Sequence, residues 1–124
     1  MDNYFKYVFD DSTNILYKYY FGAIKIEDIH ASWDHAIKKN IIPKETTGFI
    51  VDYRAASLDV SIKEYHKISD YYRNHLEIFG GKKIAVITES PKDIIIPTLV
   101  EANDYNYISR PFSTLKAAIA WVLS

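Results

Sequence analysis

Asp52 and Arg54 stand two residues apart at the carboxyl end of the apolar run Gly48-Phe49-Ile50-Val51-Asp52-Tyr53. On an extended strand that spacing sends both side chains to one face, so a carboxylate and a guanidinium converge there. They can clamp a polar ligand, or they can be a carboxylate bonded to loop amides beside a surface ion pair; the second use is the commoner for such a pair. The histidines offer less. His30 and His35 are five apart and His66 and His75 nine apart, and neither spacing sets two ligands on adjacent turns of one helix face, as His-Glu-x-x-His does. A Gly-x-Ser-x-Gly elbow is missing, Gly80-Gly81 is not a phosphate loop, and no serine, histidine and acid stand in a recognisable catalytic context. The chain is expected to be non-catalytic, with no metal and no cofactor.

Composition narrows the classes further. Across 124 residues, 48% are hydrophobic and 25% charged, with a net charge of -1, the balance of a globular protein rather than of a disordered tail or a nucleic-acid binder. Lys38-Lys39 and Lys82-Lys83 are isolated basic pairs among acids, not the basic stripe with interleaved aromatics that nucleic acid requires. The absence of cysteine excludes disulfides and thiolate metal sites. The opening Met1-Asp2-Asn3-Tyr4-Phe5-Lys6 lacks a basic segment followed by an apolar one, and no apolar run approaches the ~18 residues of a membrane span. A cytoplasmic protein with no transmembrane segment is expected.

These residues need elements to position them. Phe5, Tyr7 and Phe9 alternate with strand period, as do Ile15, Tyr17, Tyr19 and Phe21, and the turn chemistry of Asp10-Asp11-Ser12-Thr13-Asn14 between them predicts an antiparallel hairpin that stops at Gly22. Ile26, Ile29, Trp33, Ala36 and Ile37 recur at helical spacing up to Lys38-Lys39-Asn40. A buried strand is expected from Gly48 to Tyr53, then one helix from Ser61 to about Phe79 with the stripe Ile62, Tyr65, Ser69, Tyr72, Leu76 and Phe79. Ser61 and Glu64 have the spacing of a capping box, a cap contributing about 1 kcal/mol. Gly80-Gly81 closes that helix, and Lys83 to Thr88 reads as another buried strand. A short helix opened by Ser90-Pro91 and interrupted near Pro97, an edge strand over Tyr105 to Ser109 and a last helix capped by Ser113 complete the order ββαβαβαβα.

Three segments carry a family resemblance: Val51-Asp52-Tyr53-Arg54, the run from Gly80 to Pro91 through Lys83-Ile84-Ala85-Val86-Ile87-Thr88, and the run from Pro111 to Leu123. Together they resemble the bacterial STAS-like family, related to the sporulation anti-sigma-factor antagonist, and the match covers nearly the whole chain. The resemblance implies a single α/β domain over residues 1–124, with a mixed sheet of four to five strands and helices mainly on one face. It implies fold more than activity; with no catalytic motif in the chain, a regulatory or protein-interaction module is expected. In the antagonists the helix after the central strand begins Asp-Ser-Ser-Gly, and a serine there is phosphorylated; a dianion at a helix N-terminus is favoured by the dipole and the free amides. In this chain Ser61 falls at the first serine, Ile62 takes the second and Lys63 replaces the glycine. The motif is broken, and Ser61 reads as a cap, with Ser57 and Ser61 retained as candidate phosphorylation sites.

Eleven tyrosines, six phenylalanines and two tryptophans are the remaining anomaly. Opposite the Phe5 and Ile15 sets, the hairpin carries Tyr4, Val8, Leu16 and Tyr20 with only Lys6 and Lys18 interrupting. If helices cover one face of the sheet, this other face is expected to be exposed, and a protein partner or a second copy of the chain is expected to dock either on it or on the helix beginning at Ser61. The alternative is a carrier, with a lipid-like ligand in a cavity walled by Trp33, Tyr65, Tyr72 and Trp121.

Overall fold

The computed structural model describes residues 4–124; the first three residues of the opening segment read above lie outside that range. The hairpin consists of β1 (Phe5–Asp10) and β2 (Ile15–Ile24), followed by α1 (Ile26–Lys38) and β3 (Gly48–Leu58). After a 3-10 turn at Ile62–Glu64 come α2 (His66–Arg73), α3 (Leu76–Phe79), β4 (Lys83–Ile87), α4 (Ile95–Ala102), β5 (Ile108–Phe112) and α5 (Leu115–Val122). The sheet has the order β1-β2-β3-β4-β5, with β1 antiparallel to β2 and every later pair parallel. This is the expected five-stranded mixed α/β sheet.

Handedness decides which face the helices take. Each parallel crossover moves one strand further in the same direction, and such crossovers are right-handed, so α1, α2 with α3, and α4 all land on one face. Their cluster is aromatic: Trp33 meets Phe49 and Phe79 edge-on at 5.7 and 5.0 Å, and Tyr72 meets Phe79 at 4.8 Å. Only α5 crosses to the other face, packing Ala118 against Ile15, Ile50, Ala85 and Ile87. There the start of β3 lies so close to α5 that a Cβ on Gly48 would come within 2.5 Å of Val122 Cγ1.

The hairpin turn is locked by Asp10, whose carboxylate accepts hydrogen bonds from Ser12 N, Ser12 Oγ and Thr13 Oγ1 at 3.0, 2.7 and 3.1 Å, while Asn14 takes a φ of 61°. It sets Phe5 opposite Tyr20, Tyr7 opposite Lys18 and Phe9 opposite Leu16. Facing residues share a side of the sheet, so all six point toward the helices. This overturns the expected exposure of Leu16 and Tyr20: both are core residues, each 1% exposed.

Lys18 is buried with them. Its amine donates to Ser32 Oγ and lies 3.6 Å from the centroid of the Trp33 ring, with the Tyr20 and Tyr7 rings at 4.6 and 5.3 Å. Ser32 organises the cage. Its hydroxyl donates to Ile29 O at 2.8 Å and accepts from Tyr20 Oη at 2.8 Å, while its carbonyl accepts from Tyr7 Oη at 2.6 Å. Among the described residues no carboxylate pairs with the amine, and burial pushes its pKa well below the ordinary 10.5.

Several boundaries differ from the sequence reading. β2 does not stop at Gly22 but passes through it, at φ 81°, to Ile24, and β3 continues past Tyr53 to Leu58 because the two ends pair with each other beyond the end of β4. The helix expected from Ser61 to Phe79 is broken into the 3-10 turn, α2 and α3, which leaves Ile62 60% exposed instead of in the core. Ser61 does cap, through its Oγ to Lys63 N at 3.0 Å, but Glu64 pairs with Lys67 at 3.3 Å instead of closing a box. Pro91 to Ile94 form turns, so α4 begins later and holds Pro97 in its first turn, where a missing amide is tolerated. β5 is shifted to Ile108–Phe112, and Thr114 rather than Ser113 caps α5, accepting from Ala117 N at 3.2 Å.

Lys18→Met tests the buried amine. A folded-state pKa below the unfolded value means that the unfolded chain binds more protons, so wild-type stability rises with pH up to about 10.5. The substitution is expected to stabilise the protein by roughly 1–2 kcal/mol at pH 7, with the gain in Tm shrinking as pH approaches 10.5. A destabilised variant with an unchanged pH slope would contradict this assignment.

Candidate functional site

Because Phe5, Tyr7 and Phe9 turn inward with Leu16, Lys18 and Tyr20, the outward side of the hairpin is made of Tyr4 just before β1, Lys6 and Val8 on β1, and Tyr17, Tyr19 and Phe21 on β2. α5 reaches this side of β2 only at Ile15 and against part of Tyr17. The rest is uncovered: Tyr4 is 45% exposed and Val8 and Phe21 are each 41% exposed. The Tyr17 and Tyr19 rings stack at 6.4 Å, with an interplanar angle of 11°. Burial raises the pKa of both hydroxyls, helped by Asp10 near Tyr17 and Asp52 near Tyr19, so these two tyrosines stay uncharged at neutral pH. Tyr4 and Val8 thus lie on the open side, with Tyr17, Tyr19 and Phe21 in the places expected for Leu16 and Tyr20.

The open face runs into a groove at the carboxyl end of β3. Between Tyr19 and Phe21 the register with β3 slips by one residue, Tyr19 facing Asp52 and Phe21 facing Ala55. Such a bulge re-aims a side chain, and here it brings Arg54 and Ala55 together on the open side. With Tyr19, Phe21, Asp52 and Glu89 they line a groove of about 400 Å³. Arg54 grips Asp52 in a fork, Nε at 3.0 Å from both carboxylate oxygens and Nη2 at 2.6 Å from Oδ2, and the Arg54 amide also donates to Oδ1 at 2.9 Å. The hydrogen bonds to Asp52 raise the Arg54 pKa. Asp52 is buried and both of its oxygens are occupied, so the carboxylate positions Arg54, which keeps part of its guanidinium at the groove wall.

The other candidate residues fall elsewhere. Ser57 is half-buried in β3 opposite Ala23, and Ser61 is exposed at the start of the 3-10 turn. Trp33, Tyr65 and Tyr72 belong to the helix-covered cluster, whereas Trp121 packs on the opposite face of the sheet against Phe112 at 5.4 Å. The four therefore wall no common cavity, which corrects the expected apolar ligand site. The crevice beside Tyr72, between Tyr53, Ile68, Ile96 and Val100, measures about 20 Å³, room for roughly one water. His30 and His75 flank Tyr71 in a stack, with centroids at 5.1 and 4.2 Å, and donate to the carbonyls of Lys67 and Tyr71. Among the described residues no three histidine, aspartate or glutamate side chains gather as a metal set, and no helix is long and apolar enough to cross a membrane.

Sequence reasoning missed Tyr17, Tyr19, Phe21 and Glu89. Their alternation was visible; which side it faced was not. Glu89 had a weaker signal, its place just past the carboxyl end of a parallel strand, where open α/β sheets put their ligand sites.

No protein-family model matches the chain, and no curated protein sequence matches it either. Solved structures do. An uncharacterised protein of the DUF3478 family from Shewanella loihica PV-4, with a SpoIIAA-like fold, superposes with a TM-score of 0.64 at 13% identity, over 95% of this chain and 93% of the other. The anti-sigma factor antagonist SpoIIAA in its unphosphorylated form superposes with a TM-score of 0.51 at 16% identity, over 95% and 96%. The chain has the SpoIIAA-like fold.

Adjacent substitutions separate the two sides of β2. Tyr20→Glu is expected to cost about 3–5 kcal/mol by placing a carboxylate in the core, whereas Phe21→Glu is expected to stay within about 1 kcal/mol of wild type. Urea denaturation of both variants measures the difference; equal losses would refute the assignment of faces.

Proposed function

We propose that this protein is a non-catalytic, regulatory interaction module that docks a protein partner through the open side of the β1–β2 hairpin. The observation that carries the proposal is the band of exposed Tyr4, Val8 and Phe21 with half-buried Tyr17 and Tyr19, on a sheet whose central strands are packed beneath helices on both faces. Exposed tyrosines give large contact area at little conformational cost and keep a hydroxyl for hydrogen bonding, which favours protein surfaces. Lys6, Arg54 and Glu89 supply a charged rim that can fix a partner's orientation. The solved antagonist is named for its action in an anti-sigma-factor system, a task of protein recognition. A comparable use of the fold, in the cytoplasm, is proposed here.

The docking surface lies apart from the loop that carries Ser61. Ile62 occupies the position at which the antagonist motif has its second serine, so regulation through that serine is not part of the proposal.

A photo-crosslinking aromatic amino acid at Phe21 tests it in the producing cell. It is expected to capture a discrete protein, and Val8→Glu in the same chain is expected to abolish the product while leaving Tm within about 3 °C of the parent. The same probe at Ala31, on the exposed side of α1, serves as the control. Equal capture from both positions, or capture insensitive to Val8→Glu, would overturn the reading.

A further inference from the structure

β1 is an edge strand, paired with β2 alone. The Phe21 amide donates to the Tyr4 carbonyl at 2.8 Å, one rung beyond Phe5 and Tyr20. Hydrogen-bonded and non-hydrogen-bonded rungs alternate along an antiparallel pair, so Tyr4, Lys6, Val8 and Asp10 turn their backbone groups toward β2. Phe5, Tyr7 and Phe9 turn theirs outward, to an edge that no other strand occupies among the described residues. Unpaired amides and carbonyls along such an edge form a template for another strand.

We infer that the strand taking this edge is β1 of a second copy, antiparallel about a two-fold axis through Val8. Backbone parity and side-chain charge both select that register. With the axis at Val8, the outward-turned Tyr7 meets the partner's outward-turned Phe9, and the two hydrogen-bonded rungs of the symmetric pair supply about four N–H···O bonds. Val8 meets the partner's Val8 on the open side. On that same side Lys6 meets the partner's Asp10, and the symmetry repeats the ion pair. An axis at Tyr7 keeps the backbone parity but sets Lys6 opposite the partner's Val8 and Asp10 opposite the partner's Tyr4, so neither charge meets its opposite. An axis between residues sets outward-turned groups against inward-turned ones. Lys6 is exposed, and Asp10 is held ionised because the hydrogen bonds from Ser12 and Thr13 lower its pKa. A lysine on an edge strand ordinarily discourages pairing; here the strand carries its own counter-charge at the matching position. The pairing joins the two sheets and sets the two open faces side by side. It stands on the edge alone and does not depend on what docks to the face.

The absence of cysteine makes the test direct. Opposed residues on a non-hydrogen-bonded rung have Cβ atoms about 4.5–5.5 Å apart, close to disulfide geometry, so Val8→Cys in the full chain is expected to oxidise to a covalent dimer and Phe21→Cys is not. In sedimentation equilibrium, Lys6→Glu and Asp10→Lys are each expected to weaken the dimer roughly tenfold or more, and mixing the two variants restores it, because each then meets opposite charge at both rungs. A wild-type chain that stays monomeric at millimolar concentration with no Val8→Cys disulfide overturns the inference, as does a dimer indifferent to both charge reversals. A monomer whose Phe21 probe still captures another protein overturns the second copy while leaving the docking face intact.

Discussion

The handedness of parallel crossovers is the constraint on which the rest of this molecule depends. Four successive parallel strands that advance in one direction place α1 to α4 on a single face. The sheet's other face is left to α5, and a helix of eight residues is only about 12 Å long. It shields β3 and β4 and part of β5, but of β2 only the start. β1, added antiparallel at the far edge, lies beyond its reach. The uncovered face is therefore a consequence of topology, and the tyrosines on it are a surface the fold cannot bury by itself.

The same topology crowds the covered side of the hairpin. Lys18 sits where a leucine would pack most simply, and the structure accommodates its amine with one hydroxyl and three aromatic faces. Cation–π attraction favours the ammonium and desolvation opposes it, and desolvation dominates. The Ser32 network then ties β1 to α1 through Tyr7 and β2 to α1 through Lys18 and Tyr20. This makes the hairpin rigid from beneath, which suits a surface that must meet a partner without rearranging.

Much of this was legible in the sequence, and the errors share a cause. Strand alternation gave the right sets, Phe5 with Tyr7 and Phe9, and Ile15 with Tyr17, Tyr19 and Phe21. It could not relate one set to the other, because the alignment of two strands is fixed by the turn. The four residues between Asp10 and Ile15 bring odd-numbered positions of β1 opposite even-numbered positions of β2. A charged Lys18 in the inward set argued further for the wrong side. The expected helix over Ser61 to Phe79 broke for a similar reason: helical spacing was present, but His75, at φ -129°, departs from helical backbone and starts the new turn of α3. The groove at Arg54 needed a bulge that no local pattern announced. Fold class and element order were readable from residues, since each depends on short-range pattern rather than on register.

The central claim is that from Leu16 to Phe21 β2 turns its odd-numbered residues to the open face and its even-numbered residues to the core. Single cysteines placed in turn from Leu16 to Phe21 and labelled with a maleimide under native conditions test it most directly, because thiol reactivity follows exposure. Cysteines at positions 17, 19 and 21 should react in the folded protein, and those at 16, 18 and 20 only at the rate of unfolding. Reactivity in the opposite alternation, or uniform protection of all six positions, would contradict the account.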